Sequence, residues 1–452
     1  IDTLDTQEAL KQTGDYLAAF NAGKTRVPLF EAAFQFRNVL VRVDILEPQS
    51  DGDWRLIEVK SGKVKAGKVP KDSYIRDAAI QAFVLENCGL TVRAIEVGTP
   101  STDFELVESN NFEGLMARND ITDQARKLFG WVETACKEAT ATVDMAEAPD
   151  IKPDEKCTTP YTCPFIRHCT ATKLSHGEPI RVPVWHLAGS PTTKIVQELM
   201  TEYRDLANVP EDRLSVPMHR IMRKIARNEI LIWVDSNVRD WLSKQPFPRY
   251  FLDYEFISSP LPIWTGTRAG ERIAFQASLH VWHSPDEQAE HYAFIAESRN
   301  DPRPQLAEAL AKWMHLPGPV FAWGGKSVEG PITEGLAAFH QAGASVLQRV
   351  ADSCRENDPL PIFRKGFYMP AMEGDWGLKS VSTALLGENR YATLRIRNGV
   401  EAIRGYEKWI TLPEGSERDE LKEGLLEYCN LDTSIMIDVW NATLNLPTQS
   451  AT

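Results

Sequence analysis

The chain has 452 residues, 43% of them apolar and 25% charged, the proportions of an ordinary globular protein with room for two or three domains. Its 50 basic against 63 acidic residues leave a net charge of −13, which disfavours wholesale coating of nucleic acid and leaves room for a local basic groove. No apolar run reaches the roughly 18 residues of a membrane span and no signal segment opens the chain, so a cytoplasmic protein without a membrane partner is expected.

In chain order, PLFEAAF reads as a helix carrying Glu31, and VRVDIL and WRLIEVKSG read as two strands of a hairpin joined by the polar turn EPQSDGD. Side chains alternate faces along a strand, so Glu58 and Lys60 point the same way and Val59 the other. If the strands pair, Asp44 lies beside them. Two carboxylates can then hold Mg²⁺ or Mn²⁺, and a neighbouring lysine can orient or deprotonate a water. A surface hairpin with solvated charges is the other reading. YIRDAAIQAFVLE follows as a helix with Asp77 and Gln81 on one face.

The polar, proline-bearing stretch EAPDIKPDEK leads into CTTPYTCPFIRHC, where Cys157, Cys163 and Cys169 recur every six residues. Three readings stay open: thiolates of an iron–sulfur cluster, a zinc site completed by His168, or reduced cysteines packed as small apolar residues. The other four of the seven cysteines are scattered, which does not match a secreted disulfide framework. Residues 176–246 read as mostly helical. In SVPMHRIMRKIARNEI, Ser215 is the expected N-cap, and Arg220, Arg223, Lys224 and Arg227 gather on one helical face. That stripe is either a track for a phosphate backbone or a solvated face paired with acids.

Beyond PFPRY, FLDYEFI, RIAFQASLHVW and PVFAWGG read as strands, and ERDELKEGLLEYCNLDTSIMIDVWNAT as a long helix. Asp253 and Glu255 share a strand face and can share one metal or bridge two. Tyr428 and Asp432 share a helix face, where the phenol can orient a water beside a metal held by the Asp.

The D…EVK…Q set resembles the RecB-like branch of the PD-(D/E)xK nucleases. The resemblance implies a restriction-endonuclease-like domain with Glu31, Asp44 and Glu58 as metal ligands, Lys60 as the water-orienting base and Gln81 in support. Leu85 stands where that branch usually has a Tyr. A subgroup of the branch holds a [4Fe-4S] cluster with three trailing cysteines and one leading one. This implies cluster ligation by Cys157, Cys163 and Cys169, with Zn²⁺ as the alternative. The chain opens at Ile1 instead of Met, as a processed or shortened chain would, and the fourth ligand is expected upstream of it.

DYE and YCNLD resemble the DnaQ-like exonucleases of RNase H-like fold, which use a DEDD carboxylate set and a Tyr in the third motif. That implies metal ligands at Asp253, Glu255 and Asp432, with Tyr428 catalytic. The middle acid is Glu329 in KSVEG, where Gly325 and Val328 replace the usual Asn and Phe, with Asp352 in reserve.

Together with AFQASLHVW, NDPRPQL and GDWGLKSV, these motifs resemble an uncharacterised bacterial family that fuses the two nuclease types. Lys379, in the last of these phrases, is expected to contact a phosphate or form a salt bridge. The expected class is α/β, with a RecB-like domain over 1–148, a cysteine segment over 149–175 completing it, a helical connector over 176–246 and a DnaQ-like domain over 247–452. The function implied is metal-dependent cleavage of DNA, single-stranded or with exposed ends, in repair, recombination or defence. Its rivals are a nucleic-acid-binding scaffold with one or both centres inactive, and an RNA-processing exonuclease.

Overall fold

Two strands of opposite direction need a tight polar connection, and residues 49–53 supply it: Gln49 N–H donates to Asp53 O at 2.7 Å, and Gly52 takes a left-handed φ of +91°. This hairpin is the centre of the first of two units in the computed structural model, which describes residues 1–50, 52–62, 68, 70–149, 157, 163–165, 169, 181–187 and 194–448. The first unit comprises 1–150 and 258–271, and the second comprises 151–257 and 272–452.

In the first unit, β1 (Leu29–Phe36), β2 (Val39–Pro48), β3 (Trp54–Val59), β4 (Val92–Pro100) and β5 (Met116–Asp120) form one sheet in that order. All neighbours are antiparallel except β3 and β4, which run parallel and are joined by helix α2 (Asp72–Asn87). Helix α2 lies close on the sheet because its buried stripe is small: Ala78, Ala79 and Ala82 are fully buried between Ile75 and Leu85. Sheet partners such as Leu56, Ile95 and Val97 are also fully buried, each stabilising the fold by roughly 1.5–3 kcal/mol. Helix α1 (Thr6–Asn21) packs beside β1, α3 (Thr122–Lys127) follows β5, and α4 (Phe129–Val143) comes after it.

One expectation is overturned here. Glu31 lies in strand β1 and not in a helix, and it takes a left-handed φ of +54°.

The second unit is built on a four-stranded sheet of order β10-β7-β8-β9, from β7 (Arg249–Ile257), β8 (Ile273–Trp282), β9 (Glu290–Ile295) and β10 (Val320–Phe321). The first three form an antiparallel meander, and β10 pairs parallel with β7. Every residue of β8 is buried, so both faces are covered. Tyr250, Leu252 and Tyr254 of β7 pack on α8 (Arg303–Trp313), α9 (Glu329–Leu336) and α10 (Ala344–Glu356). The alternate residues Phe251, Asp253 and Glu255 face the other way. There α14 (Ser416–Asn445), 30 residues long, lies across β7 and β8.

Residues 194–246 contribute α5 (Lys194–Glu202), α6 (Pro217–Ala226), β6 (Trp233–Val234) and α7 (Ser236–Lys244). Strand β6 pairs with β11 (Phe367–Tyr368), and one hydrophobic cluster joins Met222, Val234 and Leu242 to Phe321, Phe367 and Trp440. Helix α11 (Pro359–Gly366) precedes β11, while α12 (Leu378–Leu386) and α13 (Gly399–Trp409) precede α14. The cap of α6 is Val216 with Pro217 at the first turn, not Ser215 as expected, and no side chain bonds the free N–H groups.

Gly374, with φ +79°, meets the backbone so closely that an added Cβ would lie 2.0 Å from His186 O. Both the dihedral and the contact forbid a side chain. Gly374→Ala is therefore expected to destabilise the protein by about 2–4 kcal/mol, read as a shift in denaturant midpoint at unchanged slope.

Candidate metal and catalytic centres

In the second unit, strand alternation and helical periodicity converge. Asp253 and Glu255 point from β7 toward α14, whose Asp432 and Tyr428 lie one turn apart on the facing side. Oxygens of Asp253, Glu255 and Asp432 all lie within 4.8 Å of one another, and no other His, Cys, Asp or Glu set among the described residues gathers so closely. A register shift follows directly after Glu255, skipping Phe275 of β8 before the pairing resumes at Phe256↔Ala274.

Glu329 opens α9, is only 4% exposed, and its Oε2 has no hydrogen-bond partner among the described residues. It lies outside the 4.8 Å set but within electrostatic reach of Asp253 and Asp432. Asp358 fixes the loop that delivers it, accepting from Gly324 N–H at 2.9 Å and Lys326 N–H at 3.3 Å. Asp352, the reserve candidate, is half-exposed on α10, paired with Arg355 at 3.2 Å and bonded to Gln348 at 3.0 Å.

Four carboxyls buried together disfavour their own ionisation. Burial first, then neighbouring Asp432 and Glu329, push Glu255 up to about 8, with Lys379 opposing. Burial and the Asp358 charge push Glu329 up to about 8, against its own backbone N–H. Burial and three neighbouring acids raise Asp253 well above the carboxylate range. Asp432 rises less, to about 6, because Tyr391, Lys379 and Tyr428 offset its burial. A cation bound among these carboxyls would favour their ionised forms and so oppose each of these shifts.

Sequence reasoning places Lys379 against a phosphate or in a salt bridge. In the structure it donates to Tyr428 Oη and to Arg397 O, both at 2.8 Å. Its ammonium also lies 4.6 Å from the ring centres of both Tyr391 and Tyr428. Two further members were missed. Tyr391 donates to Asp432 Oδ1 at 2.7 Å across 41 residues of sequence, a relation no local pattern reveals. Cys429, buried with its Sγ 3.8 Å from Asp253 Oδ2, was visible in YCNLD as the residue three before Asp432 on the same helical face.

Residues 250–377 match the model of a domain of unknown function, DUF2779. The match includes Asp253, Glu255 and Glu329 and stops before Lys379, Tyr428 and Asp432. No curated protein and no solved structure matches the chain.

In the first unit the expected residues also meet. Lys60 Nζ donates to Glu58 Oε1 at 2.5 Å and to Asp77, and Gln81 Nε2 donates to Glu58 Oε2 at 2.5 Å. Asp44 Oδ2 accepts the Val59 N–H at 2.6 Å, which ties β2 to the end of β3. Burial, opposed by Lys60 and reinforced by Asp44 and Asp77, pushes Glu58 up to about 7. Burial would lower Lys60, but bonds to Asp77 and Glu58 outweigh it and hold the ammonium above its ordinary value. Lys60 so placed supplies a positive charge between Glu58 and Asp77. Glu31 is half-exposed and pairs with Arg42 at 3.6 Å, outside this network.

Removing Lys60 leaves Glu58 without its counter-charge. Lys60→Met is expected to cost about 3 kcal/mol at pH 8 and clearly less at pH 5, where Glu58 is protonated. Denaturant titrations at the two pH values read it, and equal losses at both would show that the lysine stem alone matters.

Of the cysteine segment, Cys157 is buried and Cys163 and Cys169 are half-buried; Cys163 N–H bonds Cys157 O at 2.7 Å. Among the described residues their thiols do not converge into a ligand set, and His168 lies outside those residues.

On α6, Arg220 donates to Leu214 O at 2.7 Å and Arg223 to Val209 O at 2.6 Å. Arg227 pairs with Glu229 at 3.0 Å, and Lys224 is half-buried. Two of the four cations thus serve backbone carbonyls. No helix among the described residues is long and apolar enough to cross a membrane.

Proposed function

We propose that this chain is a metal-dependent nuclease with two phosphodiesterase centres, the second unit trimming DNA ends and the first cutting DNA that is single-stranded or has exposed ends. The observation that carries the reading is the buried group of Asp253, Glu255 and Asp432 with Glu329 unpartnered beside it. A sheet of order β10-β7-β8-β9 with its acids on the central β7 supports the likeness to DnaQ-like exonucleases. The first unit's hairpin, parallel β3/β4 pair and Glu58–Lys60–Gln81 network support the RecB-like reading.

In the second unit, Asp253, Glu255 and Asp432, with Glu329 close by, would hold Mg²⁺ or Mn²⁺. Held there, such an ion would acidify a bound water and offset charge on the reacting phosphate. The protein's own groups prepare that place. Lys379 donates into the Tyr428 oxygen, which leaves the phenolic proton to Asp432 or to a water beside it. Tyr391 holds the other side of Asp432, so the carboxylate is oriented by two phenols. Burial and the neighbouring acids raise the Tyr428 phenol above its ordinary value, which suits a donor that positions water. In the first unit Asp44 and Glu58 would hold the ion, with Gln81 and Asp77 fixing Glu58 and Lys60.

The test is an assay of the purified chain on end-labelled single- and double-stranded DNA and matched RNA, with Mn²⁺, Mg²⁺ or chelator. Cleavage is expected with either ion and none with chelator. Inertness of the wild type on every substrate would favour the binding-scaffold reading, and preference for RNA in direct competition would replace DNA as substrate.

A further inference from the structure

We propose that Arg272 and Lys326 form a rim beside the second unit's acids that holds the phosphate next to the one being cut, so that this centre takes polynucleotide strands in preference to single nucleotide esters. This rests on the nuclease reading of that unit and names the feature its substrate must present.

Opposite charges that stand close normally pair, and here one such pair is left open. Arg272, directly before β8, carries its charge into electrostatic reach of Glu329. It nevertheless donates from Nη1 to Ser327 O at 2.5 Å, and it forms no ion pair with any acid among the described residues. Glu329 Oε2, on a side chain only 4% exposed, likewise has no hydrogen-bond partner among them. A buried carboxylate left unpaired is costly. A divalent ion on Glu329 and an anion on Arg272 would satisfy both groups at once. The guanidinium is also fixed in place: the ring centre of Phe256, the residue after Glu255, lies 5.4 Å from it, and the bond to Ser327 leaves the rest of its donor fork free. Lys326, one residue before Ser327, is exposed, its backbone N–H is held by Asp358 at 3.3 Å, and no acid pairs with its ammonium among the described residues.

Burial decides which anion this is. Glu255, Glu329 and Asp432 are 8%, 4% and 6% exposed, whereas Arg272 and Lys326 face solvent. A phosphate reacting on an ion held by those acids lies inward of the two cations, so the cations meet the strand where it leaves the site. What a nucleic acid presents there is its neighbouring phosphate, and a guanidinium fork matches phosphate oxygens. Lys379 is the contrasting case, since Tyr428 Oη and Arg397 O already occupy its ammonium.

The experiment uses the full-length chain carrying Glu58→Gln, so that cleavage reports the second unit, with Mn²⁺ and two substrates. One is an end-labelled oligothymidylate, and the other is the p-nitrophenyl ester of thymidine 5′-monophosphate, which has a single phosphate. Arg272→Gln is expected to raise KM for the oligothymidylate about tenfold with kcat within about twofold, and to leave hydrolysis of the ester within about twofold. The dependence of log KM on log salt is expected to become shallower by about 0.7, the value of one lost phosphate contact on a single strand. Arg272→Lys, which keeps a charge, should restore that salt dependence, and Lys326→Gln should flatten it by a similar amount. Equal losses on both substrates in Arg272→Gln would make the arginine a brace for the Ser327 loop and overturn the rim, as would an unchanged salt dependence. If the parent chain cuts neither substrate, the nuclease reading falls. The salt dependence of oligothymidylate binding, read by fluorescence anisotropy with Ca²⁺, then decides the rim alone: shallower by about 0.7 in Arg272→Gln keeps it, and no change removes it.

Discussion

Asp253→Asn is expected to lower metal-dependent trimming by the second unit about 10³-fold or more while making the metal-free protein more stable. The two effects have one cause. Asp253 lies in the centre of the group, beside Asp432, Glu255 and Glu329, buried and held well above its ordinary pKa by desolvation and by those neighbours. An amide of the same shape removes one of the mutually repelling carboxyls and so relieves that repulsion. It also removes a ligand for the ion, and loss of about 4 kcal/mol of transition-state stabilisation corresponds to about a thousandfold in rate. End-labelled DNA trimming and a melting curve on the same sample measure both. A variant that loses activity and stability together would point to Asp253 as a structural residue. One that keeps full activity would remove the metal centre from the reading.

Without divalent ions, thermal stability is expected to fall as pH rises from about 5 to about 8, and Mn²⁺ is expected to reverse that slope. Unfolded Glu and Asp release their protons near 4.5 and 3.8, whereas folded Glu255 and Glu329 hold theirs to about 8, Glu58 to about 7 and Asp432 to about 6. Across that window the folded state binds more protons than the unfolded state, so raising the pH favours unfolding. A tenfold difference in proton affinity between the folded and unfolded forms of one carboxyl is worth about 1.4 kcal/mol, so a summed loss of several degrees in melting temperature is expected. A divalent ion binds only the ionised carboxylates, and at about a hundred times its Kd it stabilises by about 2.7 kcal/mol. Melting curves at pH 5, 6.5 and 8, with EDTA or Mn²⁺, measure the two slopes. A flat EDTA profile would mean that the acids are hydrated rather than buried together.

The parts of the chain that can be read in advance are those in which one period governs a whole element. LDYE alternates apolar and acidic residues, which puts Asp253 and Glu255 on one face of β7, and YCNLD has helical spacing, which puts Tyr428 and Asp432 together on α14. The hairpin of β2 and β3 is equally clear from its turn. PLFEAAF misleads because the left-handed residue Glu31 breaks the alternation of β1, leaving Phe30 and Glu31 exposed in succession and Ala32 to Phe34 buried, a spacing that mimics a helix. The partners of the candidate catalytic side chains are hidden for another reason. Lys379 meets Tyr428 across 49 residues and Tyr391 meets Asp432 across 41, and such pairs are set by how elements pack rather than by any pattern within one.

The route by which α14 reaches β7 has a bearing on synthesis. Asp253 and its contact Cys429 are separated by 176 residues, so the carboxylate centre cannot close until the meander, the α8–α10 layer and the final long helix have all been made and docked. Contacts of such separation form late in folding. A nascent chain still short of α14 would hold Asp253 and Glu255 on β7 without Tyr428 and Asp432. On the nuclease reading, the second unit would gain its hydrolytic centre only after α14 docks on β7, a delay set by the order of elements along the chain.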